Sequence, residues 1–179
     1  MELVITSSTK TLQYWKQRPY LNEETKHLLS DVDVLIVPDE DLREFKTPLF
    51  PSNMMEIYDL LKEHFNVEAA INDKDYHELS LNSKKHRFGI YAVTLVVAPL
   101  FVTVLGNYIS DKLKHEDPTD EIELEIILDN NSDHSKSIKY QGTAEDFKKV
   151  VDKVIELSKE KDEHRTDTAK SASTVHKKS

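Results

Sequence analysis

Two short polar clusters stand where an α/β fold would put its chemistry. Thr6, Ser7 and Ser8 follow the β-branched run that opens the chain, and Asp39, Glu40 and Asp41 follow the apolar run Val32 to Val37 and Pro38. Ligands of open α/β sheets bind outside the carboxyl ends of the strands. The Ser7 and Ser8 hydroxyls and the Asp39 and Asp41 carboxylates are therefore candidate ligand-binding groups, with the donors that Mg²⁺ or a sugar would need. The same residue types also end strands and cap turns, and that plainer role is the favoured one.

A third cluster, Glu121, Glu123 and Glu125, occupies alternate positions of one run. Such a ladder could hold a cation, but it reads better as a solvated sheet face balanced across a hairpin by Lys136 and Lys139. None of the eight histidines has a partner at the i, i+4 spacing of a helical metal site. The chain has no cysteine, which excludes disulfides, thiolate catalysis and Cys-type zinc or iron–sulfur centres. It has three glycines, the first at Gly89, so neither a phosphate loop nor a dinucleotide fingerprint can be written before that point. There is no G-x-S-x-G elbow. No catalytic residue, metal or cofactor is expected. The formal charge of −9 is shared by both halves of the chain, so nucleic acid is not an expected partner.

The elements that would position these groups follow from periodicity. Leu3 to Thr6 suits a first strand. Leu12 and Trp15 suit a short helix ending before Pro19, and Asn22-Glu-Glu caps a second helical piece through Leu29. Val32 to Val37 is apolar enough for a central strand closed by Pro38. Ser52 is a candidate N-cap for a helix carrying Met54, Ile57, Tyr58, Leu61 and Phe65, and Val67 to Ile71 is a third strand. Tyr76 to Leu81 is a fourth strand or a lead into the next segment. Residues 1–83 thus form a small α/β domain. The opening Met-Glu-Leu-Val-Ile lacks the basic start of a cleaved signal peptide.

Between Arg87 and Asp111 there is no charge, and Phe88 to Ile109 runs for 22 residues. As a helix this stretch spans roughly 33 Å, against about 30 Å of bilayer hydrocarbon. Apolar residues fall on every face. Lys84, Lys85 and Arg87 lie on one flank, Lys112 and Lys114 on the other, and Tyr91 and Tyr108 near the ends, as in a spanning helix. Residues 84–114 therefore read as a single transmembrane helix with basic flanks (core 88–109), kinked or re-entrant at Pro99. The alternative is a buried core helix, or two buried strands broken at Pro99. The flank charges would place the N-terminal domain in the cytoplasm of a single-pass cell-membrane protein, with the lipid bilayer as a partner.

Residues 118–158 read as a β-hairpin plus helix. Glu121 to Asp129 and Ser135 to Gln141 are strands around a polar turn, Asn130 to His134. Thr143 and Asp146 resemble a capping box for a helix whose Phe147, Val150, Val151, Val154 and Ile155 share a face. The unit is too small to be stable alone. It should pack on the N-terminal domain, on a protein partner or on copies of itself, and the first of these conflicts with a true span. Residues 159–179 read as a disordered polar tail.

The succession of His77-Glu-Leu-Ser-Leu-Asn-Ser83, the hydrophobic segment, Asn107-Tyr-Ile-Ser-Asp-Lys-Leu113, Leu124-Glu-Ile-Ile127 and Lys136-Ser-Ile-Lys-Tyr-Gln-Gly142 resembles a set of small uncharacterised bacterial membrane proteins. It is also similar in layout to the effector-associated components of bacterial conflict systems. The resemblance covers residues 77 to 157, carries no catalytic residue, and implies a membrane-tethered partner-binding or signalling role. The leading functional expectation is a membrane-anchored, non-enzymatic adaptor or sensor that binds a protein or small ligand. An oligomerising, membrane-disrupting effector and a small α/β enzyme using Ser7, Ser8 and the Asp39–Asp41 cluster are the alternatives.

Overall fold

The structure is a computed structural model that describes residues 1–40, 47–79, 85–114, 120–130 and 134–159. Strand β1 (Glu2–Ser8) is built on Leu3-Val-Ile-Thr6. Helix α1 (Leu12–Lys16) is capped by the Thr11 hydroxyl, which accepts from the Tyr14 N–H. Helix α2 (Glu23–Leu28) is capped by Asn22, with Glu23 and Glu24 in its first turn. Strand β2 (Val34–Val37) is buried at every residue. The short β3 (Phe50–Pro51) precedes α3 (Met54–Lys62), whose N-cap is Asn53 rather than the expected Ser52. Strand β4 (Val67–Ala69) and the short β5 (Glu78–Leu79) complete this half; residues 80 and 81 of the expected fourth strand lie outside the described residues.

The uncharged stretch is not one helix. It divides into strand β6 (Lys85–Thr94) and helix α4 (Ala98–Lys112). At 15 residues α4 is about 22 Å long, and among the described residues no helix is long and apolar enough to cross a membrane. The expected transmembrane helix over 84–114 is thereby corrected. Pro99 does not kink a helix; it lies in the first turn of α4, where a missing N–H costs nothing. Counted from Ala98, the helix also has two faces. Ala98, Phe101, Val102, Leu105 and Ile109 are buried, while Thr103, Asn107 and Ser110 are exposed. Charge is absent from this stretch because protein surrounds β6 and one face of α4.

Strands β7 (Glu121–Asp129) and β8 (Ser135–Gly142) form the expected hairpin. A 3-10 turn at Glu145–Phe147 leads into helix α5 (148–159), and the Asp146 N–H donates to the Thr143 hydroxyl as half of a capping box. The remaining tail, 160–179, lies outside the described residues.

Six strands form one sheet in the order β1-β8-β7-β6-β2-β4, while β3 and β5 pair separately. Two helix crossovers are built in: β6 and β7 are parallel neighbours joined through α4, and β2 and β4 are parallel neighbours joined through α3. The hairpin inserts between β1 and β6, so one sheet runs through both units that the sequence reading separates. Helices α3, α4 and α5 cover one face with a large core that includes Ile57, Phe101, Leu105, Ile126 and Val154. On the other face a smaller core, centred on Trp15, Leu29, Leu35, Ala92 and Ile127, sits under α1 and the segments that flank α2.

Candidate functional site

Helix α1 and the residues flanking α2 cover only part of their face, and the rest forms a cleft of about 530 Å³. Sheet register decides what lines it. Glu2 lies opposite Gln141 and Gln141 opposite Glu123; Val4 lies opposite Lys139 and Lys139 opposite Glu125. Directly opposed residues share a face, so these side chains make a polar floor across β1, β8 and β7. The intervening Leu3, Tyr140, Leu124 and Ile126 turn to the helical core. Trp15 and Lys10 border the floor on the α1 side, and Pro38, Asp39, Glu40, Leu49 and Pro51 form the opposite wall.

Arg87 reaches the cleft through a β-bulge. Pairing of β6 with β7 shifts between Arg87 and Gly89, so that Arg87 opposes Glu123 and Gly89 opposes Leu124. Phe88 is the extra residue and enters the core. A one-residue slip exchanges the two faces of a strand. Arg87 can therefore face the cleft while Tyr91, four residues on, is buried among the helices and donates its hydroxyl hydrogen to the Phe88 carbonyl. The slip needs Gly89, whose φ is +92° and whose Cα lies close under Pro51; an added Cβ would come within 3.3 Å of the Pro51 ring.

Among the described residues the cleft presents five carboxylates and three cations. Arg87 stands between Asp39 at 3.5 Å and Glu123 at 3.6 Å, and Lys85 approaches Glu123 at 3.6 Å. Lys139 lies 3.5 Å from Glu125, which also accepts a 2.6 Å hydrogen bond from the Ser137 hydroxyl. Arg18 grips Glu40 at 2.7 Å. Burial lowers the Arg18 pKa, but the Glu40 carboxylate overrides it and the net movement is upward. Burial, and then the same carboxylate, pushes the Tyr20 phenol up. The Arg87–Asp39, Arg87–Glu123, Lys85–Glu123 and Lys139–Glu125 pairs are longer than hydrogen bonds and partly wet, so each contributes at most about 1 kcal/mol. Trp15 is almost fully buried, its ring lies under the Lys10 ammonium at 5.4 Å, and its indole N–H has no hydrogen-bond partner.

The residues singled out from the sequence are not brought together. Asp39 is in the cleft, paired through its backbone with Leu49. Ser7 and Ser8 are at the far end of β1, opposite Lys136 and Ser135. The Ser8 hydroxyl accepts from the Lys10 N–H, and its carbonyl accepts from the Ser135 hydroxyl. Glu123 marks the Asp39 end of β7 and Asp129 the Ser8 end, a separation of about 20 Å at the rise of a strand. The reason is direction. β1 is antiparallel to β8 and β8 to β7, whereas β2 is antiparallel to β6, the parallel neighbour of β7. The carboxyl ends of β1 and β2 therefore point opposite ways. Asp41 and Lys84 lie outside the described residues. Of the other expected membrane-flank residues, Lys85 and Arg87 face Glu123, Lys112 pairs with Glu56 at 2.6 Å, and Lys114 pairs with Asp111 at 2.8 Å. His86 lies 3.2 Å from Asp120.

Of the glutamate ladder, Glu125 has the expected partner in Lys139, whereas Lys136 is opposite Leu128. Among the described residues no group of three or more His, Asp or Glu side chains is placed to hold a metal ion. Sequence reasoning took Arg87 for a membrane-flank residue and missed its place in the cleft opposite Glu123. The signal that could have found it is the lone glycine in a β-branched run, a marker of bulges.

Comparison with protein-family models, with curated proteins and with solved structures finds no match to this chain.

Proposed function

We propose that this chain is a non-enzymatic binding module, an adaptor or sensor whose partner is seated in the cleft on the open face of the sheet. The observation that carries this reading is a 530 Å³ cleft of mixed charge with an acidic surplus, in which the ion pairs of Arg87 and Lys139 are long. Pairs of that length lose little when a ligand ammonium or guanidinium replaces one partner. The apolar wall of Leu49, Pro51 and Ile90 adds surface beside the charged groups, the usual make-up of a binding pocket. The readings that drew on a spanning helix, the anchored adaptor and the permeabilising effector, have no such helix among the described residues to build on. Separation of Ser7 and Ser8 from Asp39 likewise removes the support for the enzyme reading.

Calorimetric titration with tri-lysine and with tri-glutamate at about 0.15 M salt tests this reading. Tri-lysine binds, tri-glutamate does not, and the Glu123→Gln/Glu125→Gln double variant loses at least tenfold in tri-lysine affinity. Equal affinity of the two probes, or an unchanged double variant, overturns it.

A further inference from the structure

We infer that the occupant of this cleft is an extended peptide segment with basic side chains at alternate positions, added as a seventh strand along the outer edge of β1. This rests on the cleft reading and names its ligand. β1 is the terminal strand of the sheet, and all seven of its residues pair in unbroken register with β8. Among the described residues nothing pairs with its other edge. In an antiparallel ladder alternate residues direct both N–H and C=O to one side, so the outer edge offers a row of free main-chain donors and acceptors.

Sheet edges are normally guarded by proline, lysine, a bulge or shortness. β1 reads Glu-Leu-Val-Ile-Thr-Ser-Ser; it has none of these, its single charge is the Glu2 carboxylate at its start, and Val4 and Ile5 are each 38 % exposed. Such an edge accepts a strand through main-chain hydrogen bonds, while the neighbouring face selects alternate side chains. Here the neighbouring face is the cleft. Glu2 and Val4 line it, and a strand laid beside β1 would set every second side chain next to them.

Charge decides between possible strands. The Glu2 carboxylate makes no ion pair among the described residues, and Glu123 and Glu125 lie deeper on the same face. A lysine or arginine opposite Glu2 gains a partner and points its charge toward the acidic floor. A second copy of the chain would instead bring together two acidic clefts on molecules of net charge −9.

The test uses the full chain and a fluorescein-labelled, N-acetylated octapeptide of alternating Lys and Val, read by anisotropy. Its controls are an alternating Glu-Val octapeptide and two Lys-Val versions N-methylated at every odd or every even residue. The Lys-Val peptide binds, and the Glu-Val peptide binds at least tenfold more weakly. One N-methylated version loses at least tenfold, because its amides face β1, and the other binds as before. If both N-methylated versions bind like the parent, strand addition is overturned and the acidic cleft alone remains. If Glu-Val binds as well as Lys-Val, the cleft reading fails too. A chain that sediments as a dimer and excludes the peptide assigns the edge to a second copy and also overturns the inference.

Discussion

The substitution Leu105→Ala, set beside Val96→Ala, asks whether the uncharged stretch is shielded by protein. Leu105 is fully buried in the core beneath α4, whereas Val96, in the turn before that helix, is 86 % exposed. Truncating a buried leucine removes its transfer free energy and leaves a cavity, together about 3 kcal/mol. Truncating an exposed valine stays within about 0.5 kcal/mol. With a urea m-value of about 2 kcal/mol per M, the denaturation midpoint of Leu105→Ala should fall by about 1.5 M and that of Val96→Ala by less than about 0.3 M. The reporter is already present: Trp15 is the sole tryptophan, is 1 % exposed, and lies in the opposite core, so its emission follows global unfolding. A lysine pair sharpens the contrast. Val96→Lys should fold and Leu105→Lys should not, because only the second buries a charge without a partner. In a single spanning helix both positions face hydrocarbon. Equal midpoints for the two alanine variants, or equal intolerance of the two lysines, would refute the packing described here.

Gly89→Ala should destabilise by about 1–2 kcal/mol, the cost of a side chain at positive φ, seen as a lower urea midpoint. Asp129→Ala should cost about 1–3 kcal/mol, because the Leu12 N–H that donates to its buried carboxylate at 2.5 Å loses its acceptor; Asp129→Asn should recover part of the loss. Arg87→Ala should tighten tri-lysine binding several-fold in calorimetry, since it removes one cation that competes for the Asp39 and Glu123 carboxylates while leaving the fold within about 1 kcal/mol of the parent. The Glu56 carboxyl is held below its ordinary pKa, chiefly by its hydrogen bond from Lys112. A depressed folded pKa gives stability that is present above the unfolded pKa of about 4.3 and is lost as pH falls through the folded value. Lys112→Met should therefore lie less than about 1 kcal/mol below the parent at pH 7, and the gap should close as the pH is taken below 4, in paired urea titrations.

Local signals were enough wherever an element answers to its own residues. The Asn22 cap, the alternation from Glu121 to Asp129 and the 3.6-residue spacing of Phe147, Val150 and Val154 are each legible in the sequence, and each element forms. The stretch from Phe88 to Ile109 was not legible, because absence of charge records only that water is excluded. Lipid and surrounding protein exclude it alike. Two residues in that stretch pointed to protein. Gly89 marks the bulge of β6, and Pro99, unwelcome within a helix, is at home in the first turn of one. Strand direction was the other hidden quantity. Ser8 and Asp39 each end a strand, yet insertion of the C-terminal hairpin beside β1 turns those ends apart, and no residue near either one encodes that insertion.

The cleft follows from a mismatch of sizes. Helices α1 and α2 have five and six residues, so each is about 7–9 Å long. The sheet they cover has six strands and is about 24 Å wide. Helix α1, with Leu21 and Leu29 on either side of α2, protects β2, the end of β6 and Ile127, and leaves β1, β8 and the first half of β7 open on that face. A strand packed on one side alone must alternate, and Glu-Ile-Glu-Leu-Glu on β7 does so until Ile126-Ile127, where α1 begins to cover it. The end of the alternation thus marks, in the sequence itself, where the second layer starts and the cleft stops. Moving that point should move the cleft: Glu125→Leu would extend the apolar floor under the wall formed by Trp15, which lines the cleft beside it. The same change would remove the carboxylate that faces Lys139 and should weaken tri-lysine binding several-fold, with Trp15 emission and calorimetry as the two readouts. Undiminished tri-lysine affinity in that variant would separate the acidic floor from binding.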